Sequence, residues 1–154
     1  MSKPKTQEQL EHAADLRLQK QYGITLTEYE RLAEVHHRGC WVCESVPVTR
    51  RLHVDHDHGW KKTEIVFGQY NGLWAATARY NGRAYVEQAK KKSEARKLLK
   101  EQLKRASVRG LLCYPHNTGL QKFRDNPQFL RSAANYLECY QNGSTDRILN
   151  GGRT

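Results

Sequence analysis

Two short motifs, Cys40-x-x-Cys43 and Cys113-x-x-His116, have the spacing at which one tight turn supplies two ligands to a tetrahedral zinc ion. Together they make a complete set of soft sulfur and imidazole donors. The competing readings are a redox cysteine pair, whose usual βαβ surroundings are missing, and buried unpaired thiols. His116 is the least secure of the four ligands, because Cys139 or another histidine could also complete the tetrahedron. Cys139 falls on the apolar side of the last predicted helix, where a buried thiol is its expected role.

Between the two motifs, His53-Val54-Asp55-His56-Asp57-His58 puts five ionisable groups into six residues beside Gly59. In extended backbone His53 and Asp55 share one face, and His56 and His58 the other. A carboxylate can then hold a divalent cation while an imidazole reaches a nearby water. Phosphodiester hydrolysis needs those two parts, a metal to offset charge on the leaving oxygen and a base to activate water. A second zinc site and a solvated loop are the alternatives.

Elements must position these groups. Residues 6–22 read as a helix with Leu10, Ala13, Ala14 and Leu18 on one side and Gly23 as a left-handed stop. Thr27 with Glu30 matches a capping box, so a second helix is expected over 28–37, with Leu32 and Val35 inward and Gly39 closing it. Residues 50–55 alternate as a strand, and Asp57-His58-Gly59 makes a turn. Runs 64–70, 73–80 and 83–89 are strand-like and are joined by Asn71-Gly72 and Asn81-Gly82, the strongest short hairpin signal, which predicts a three-stranded meander. Ser93 can cap a helix to Ala106 whose Ala95, Leu98, Leu99, Leu103 and Ala106 form one stripe. Residues 109–112 re-enter a strand, a short helix starts near Asn117, and a final helix is expected over 127–140 with Phe129, Leu130, Ala133, Leu137 and Tyr140 as its apolar face. Gly143 and the residues beyond it read as a tail.

The chain has 154 residues with 26 Lys and Arg against 16 Asp and Glu, a net +10, so one domain with an insertion is the natural size and a polyanion the natural partner. Its pI is near 9.6 and its mean hydropathy −0.86. No run approaches the roughly 20 apolar residues of a membrane span and no signal stretch follows Met1, so the expectation is a soluble, cytoplasmic protein without membrane partners. The charge is not spread evenly: residues 59–109 carry 13 basic residues against four Glu. That run is either a solvated face or a phosphate-tracking surface.

Cys40-x-x-Cys43, the His53 to His58 string, and Arg109-Gly110-Leu111-Leu112-Cys113-x-x-His116-Asn117-Thr118-Gly119-Leu120, followed by Phe123 and Asp125-Asn126-Pro127, resemble the phage recombination endonuclease VII family. The approach Tyr22-Gly23-Ile24-Thr25 with Glu28, Tyr29 and Leu32 is similar to it as well. That family belongs to the His-Me finger (HNH, ββα-metal) nucleases. The resemblance implies an α+β fold: a zinc-stabilised His-Me finger core with flanking helices, here carrying an inserted three-stranded antiparallel sheet plus helix. It implies that Asp55 and Asn117 hold a catalytic Mg²⁺ or Mn²⁺ and that His56 deprotonates the attacking water. His58 and His53 would contact the scissile phosphate, with structural Zn²⁺ on Cys40, Cys43, Cys113 and His116. The host cell cytoplasm is the implied compartment if the chain is phage-encoded, and relatives dimerise, so a homodimer is an implied state.

Three departures stand out. The family's second knuckle usually ends in Cys, where this chain has His116. Some relatives carry Glu three residues after the Asn, where this chain has Leu120. The two motif halves are normally much closer than 59–108 allows. The expected organisation is therefore 1–58 for the first helices, first knuckle and catalytic strand, 59–108 for the inserted basic module, 109–143 for the second knuckle and last helices, and 144–154 for a tail. Within the insertion, Tyr70, Trp74, Tyr80 and Tyr85 lie among Arg79 and Arg83, and the pattern looks like small modules that lay a sheet into the DNA major groove, an analogy at fold level only. Trp74, Tyr80 and Tyr85 equally suit a core between sheet and helix. Arg79, Arg83, Lys90, Lys91, Lys92, Arg96, Lys97, Lys100 and Lys104 are the candidate DNA contacts. The implied activity is Mg²⁺-dependent endonucleolytic cleavage of branched DNA such as four-way junctions. A nicking or homing-type HNH endonuclease on duplex DNA, and a zinc-dependent DNA-binding protein without catalysis, are the alternatives.

Overall fold

A computed structural model describes residues 4–48 and 51–141. It is a mixed α+β protein with two small antiparallel sheets, divided into two compact units, residues 1–113 and 114–154. Among the described residues no helix is long and apolar enough to cross a membrane. The start of the predicted strand at Arg50, the side chain of Tyr140, and Gly143 with the tail lie outside the described residues.

In the first unit, helix α1 (Gln7–Tyr22) begins in a capping box: the Gln9 N–H donates to the Thr6 hydroxyl and the Gln9 side chain accepts from the Thr6 N–H. It ends at Gly23, whose φ of 72° is the left-handed stop. Of its expected apolar face only Leu18 is buried, and Leu10 is half exposed. Helix α2 (Leu26–Val35) starts two residues earlier than predicted, because Thr25 and Glu28 form the capping box in place of Thr27 and Glu30. The Leu26 N–H also donates to Asp15 of α1 at 2.6 Å. This earlier register turns Tyr29 and Ala33 inward and leaves Val35 67 % exposed. The helix closes at His36, not at Gly39. Gly39 serves a different need: a Cβ there would sit 2.3 Å from the Glu44 carbonyl oxygen in the turn that follows.

Strand β1 (His53–His56) pairs antiparallel with β5 (Val108–Leu112), aligning His53 with Leu112 and Asp55 with Gly110. The predicted turn at Asp57 is the cap of a 3-10 helix, His58–Lys62, in which Asp57 accepts the Gly59 N–H.

The central hairpins form as their turn signals predict. Strands β2 (Val66–Tyr70), β3 (Leu73–Tyr80) and β4 (Arg83–Ala89) make a meander in the order β2-β3-β4. Asn71, Gly72, Asn81 and Gly82 all have φ between 48° and 77°, the left-handed pairs that two-residue hairpin turns require. Helix α3 (Lys92–Ala106) covers one face of this sheet. Its cap position is Lys91 and carries no side-chain bond, so Ser93 is not the cap. Ala95, Leu99 and Leu103 are buried against Ala76, Ala78, Tyr80 and Ala89, and Trp60, Ile65, Phe67, Trp74 and Tyr85 pack round them, while Leu98 of the predicted stripe is 37 % exposed. Trp74, Tyr80 and Tyr85 are therefore core residues, and Tyr70 alone of the four aromatics is exposed.

In the second unit, α4 (Tyr114–Lys122) turns through Arg124 and Asp125, both at positive φ, into α5 (Pro127–Gln141). Asn126 accepts the Gln128 N–H at the start of α5. Of the predicted apolar face of α5, Phe129 and Leu137 are 47 % and 58 % exposed and Leu130 and Ala133 half-buried, and Tyr136 beside it is 74 % exposed.

Candidate functional site

The first knuckle grows out of the loop after α2. The Glu44 N–H returns to the Cys40 carbonyl at 2.7 Å and the Cys40 N–H donates to Ser45, a turn that brings the two thiols together. The knuckle is tied to β5 because the Trp41 N–H donates to the Leu111 carbonyl at 3.0 Å, and the Trp41 ring stacks on His36 with centroids 3.9 Å apart. Gly110 lies under that ring, where a Cβ would fall 2.8 Å from it.

Cys40, Cys43, Cys113 and His116 each offer a ligand atom, all within 4.8 Å of one another. Burial works to raise the Cys40 thiol, but backbone N–H groups of Cys113, Cys43 and Val42 directed at its sulfur bring it down to about 7. The Ser45 side chain is the main cause holding the Cys43 thiol below its ordinary value. Thiols so shifted yield thiolates, the form that binds metal. The donor set is positioned to bind a metal ion and its chemistry fits structural zinc. Cys139 does not belong to it and is exposed on α5, contrary to the expectation of a buried thiol, because among the described residues that helix buries none.

The acidic and histidine residues do not alternate simply. A β-bulge lies between Asp55 and His56: Asp55 faces Gly110 whereas His56 faces Val108, which leaves Arg109 as the extra residue on β5. His53 is exposed, Asp55 buried and His56 half-buried, and His58 has left the strand for the 3-10 helix. The extra residue lies on β5, so β1 itself stays a continuous strand through His56.

Arg109 binds the Asp55 carboxylate in a bidentate fork, Nε to Oδ2 at 2.9 Å and Nη2 to Oδ1 at 2.7 Å. The imidazole of His56 stands 4.4 Å from that of His58 and edge-on to Tyr22 at 5.1 Å, centroid to centroid. Burial, followed by the charge of His58, holds His56 below the ordinary histidine value. Asp57 accepts the Tyr80 hydroxyl at 2.7 Å, which is the main cause lowering its carboxyl, and burial with this bond pushes Tyr80 up to about 12. Asn117 lies within α4 of the second unit.

The basic residues of the insertion divide between faces. Arg79 is exposed on the open side of the sheet, opposite Ala84, whereas Arg83 pairs with Tyr80 on the side of α3. Lys90, Lys91, Lys97 and Lys100 are exposed. The Lys92 ammonium lies 4.7 Å from the Phe67 ring and 5.1 Å from Trp74, and Arg96 also reaches Phe67. Lys104 donates to the Gln19 and Lys20 carbonyls at the end of α1, serving as a cap for that helix.

Sequence reasoning gave no part to Arg109, Tyr22 or the Asp57–Tyr80 bond. Arg109 stood in plain view at the head of the second motif, but its partner depends on the bulge. The family described as recombination endonuclease VII matches the chain over residues 15–139. No curated protein and no solved structure matches it.

Proposed function

Because the chain belongs to the recombination endonuclease VII family, which implies a nuclease acting on branched DNA, we propose that it is a Mg²⁺- or Mn²⁺-dependent endonuclease of the His-Me finger type that resolves DNA junctions. In this reading Asp55 and Asn117 hold the cation through hard oxygen donors, which suit Mg²⁺. Bound there, it offsets charge on the leaving oxygen. His56 takes a proton from the attacking water, and His58 and His53 contact the scissile phosphate. Cleavage leaves a 3′-hydroxyl and a 5′-phosphate. Zinc on Cys40, Cys43, Cys113 and His116 is structural: it fixes the start of the helix that carries Asn117.

The observation that carries the reading is the β1–β5 pair. Asp55, His56 and the chain leading into Cys113 all sit on two hydrogen-bonded strands, inside a family match that spans them. The insertion, 59–108, is proposed as a separate DNA-gripping module, and 1–58 with 109–143 as the nuclease part. The open apolar face of α5 supports pairing of two chains, which would bring two active sites to the two strands of a junction. The proposed compartment is the cytoplasm, that of the host if the gene is a phage's.

Matched four-way junction, flap, linear duplex and single-stranded DNA, incubated with Mg²⁺ and mapped for cuts, test the proposal. Preferential, paired incision of the junction is expected. Preference for linear duplex at one sequence would replace it with a nicking or homing-type enzyme, and binding without cleavage with a zinc-dependent DNA-binding protein.

A further inference from the structure

We propose that Arg109 is a built-in placeholder cation: its guanidinium holds both Asp55 oxygens until the catalytic divalent ion displaces it. The inference rests on Asp55 being a ligand of that ion, as proposed above, and goes beyond it by naming what the ion must compete with.

The Asp55 side chain is only 12 % exposed. An ionised carboxylate so placed is costly unless a positive charge and hydrogen-bond donors meet it. Arg109 supplies both, through two charge-assisted bonds in fork geometry. The strand is built to deliver it. Regular antiparallel pairing would alternate side chains across the sheet, but the bulge makes Arg109 the extra residue of β5 in the register with β1, adjacent to Gly110, which faces Asp55. Bulges re-aim a side chain in just this way. Arg109 is also 36 % exposed, so its head has solvent to move into when the carboxylate is taken over.

A divalent ion that coordinates Asp55 takes an oxygen the guanidinium now holds, and at close range the two positive charges repel. Arg109 thus preforms the carboxylate as an anion in fixed orientation and at the same time weakens the ion's hold. It is a positioning residue in this role. Hydrogen bonds to charged groups are strong enough that removing the fork should tighten ion binding about tenfold or more.

The test measures binding of Mn²⁺ alone, by calorimetry, to zinc-loaded full-length protein without DNA. R109Q is expected to bind Mn²⁺ about tenfold or more tightly than the unmodified chain. It should also melt at lower temperature without Mn²⁺ and gain more from adding it. Lysine cannot span both oxygens, so R109K should fall between the two. Equal or weaker Mn²⁺ binding by R109Q overturns the placeholder role. If R109Q does not fold, R109K decides by the same criterion. D55N separates this inference from the one beneath it. If D55N binds Mn²⁺ as well as the unmodified chain, Asp55 is not a ligand and both fall. If D55N loses Mn²⁺ binding while R109Q gains none, only the placeholder falls.

Discussion

His56, the proposed base, has surroundings that suit that role. Its ring is half-buried between Tyr22 and His58, and desolvation followed by the charge of His58 favours the neutral form. A proton acceptor must be neutral to act. With its pKa lowered, His56 stays neutral further into acid than an ordinary imidazole, so the acidic limb of the cleavage profile should lie below the usual histidine value of about 6.5. Rates measured from pH 5 to 8 check this, and a limb at or above that value would show another group titrating. His56→Ala should lower the cleavage rate by about two orders of magnitude or more while leaving DNA affinity intact. Undiminished cleavage by that variant would take the base role from His56.

At the scale of elements, Gly110 joins the knuckle to the strand pair. It faces Asp55 across the ladder and lies under the Trp41 ring, which is stacked with His36. Neither ring can yield cheaply, so Gly110→Ala should destabilise the fold by about 1–3 kcal/mol in denaturant titrations; a neutral substitution would mean the Trp41 stack is loose. The ease of reading these elements from sequence varied for physical reasons. The meander was legible to within two residues because Asn71-Gly72 and Asn81-Gly82 fix turn and register together. The start of α2 was not, since Thr25-x-x-Glu28 and Thr27-x-x-Glu30 are equivalent as patterns and a hydrogen bond from the Leu26 N–H to Asp15, eleven residues earlier, selects between them. The four candidate metal donors were found from spacing, whereas the fork between Arg109 and Asp55 was missed because a bulge leaves no local mark in sequence.

On the scale of the whole molecule, metal and charge are assigned to different stretches of chain. Metal analysis of purified protein should find about one zinc per chain, since four donors make one tetrahedral site. Protein containing none would rule out the site. Stripping zinc should loosen the knuckles and abolish cleavage, with no recovery on adding Mg²⁺ alone. Residues 90–105 hold eight basic residues against two Glu, but several already have duties: Lys104 caps α1, and Lys92 and Arg96 lie over aromatic rings. Lys90, Lys91, Lys97 and Lys100 remain exposed. Changing these four to Gln should flatten the salt dependence of DNA binding by roughly 0.9 in log–log slope for each phosphate that is no longer neutralised. An unchanged slope would make α3 a merely solvated face.

The bond from Tyr80 to Asp57 ties the three-stranded sheet to the residue just past β1, and Asp57 in turn caps the 3-10 helix that leads toward that sheet. On the proposed reading, in which this segment grips DNA, fastening at that point would make it a ruler more than a tether. A duplex gripped by the sheet and α3 would be offered to Asp55 and His56 at a set number of base pairs from the grip, so the incision should keep a constant offset from the protected footprint. Tyr80→Phe, which keeps the ring and removes only the hydroxyl, should blur that offset before it slows the cut.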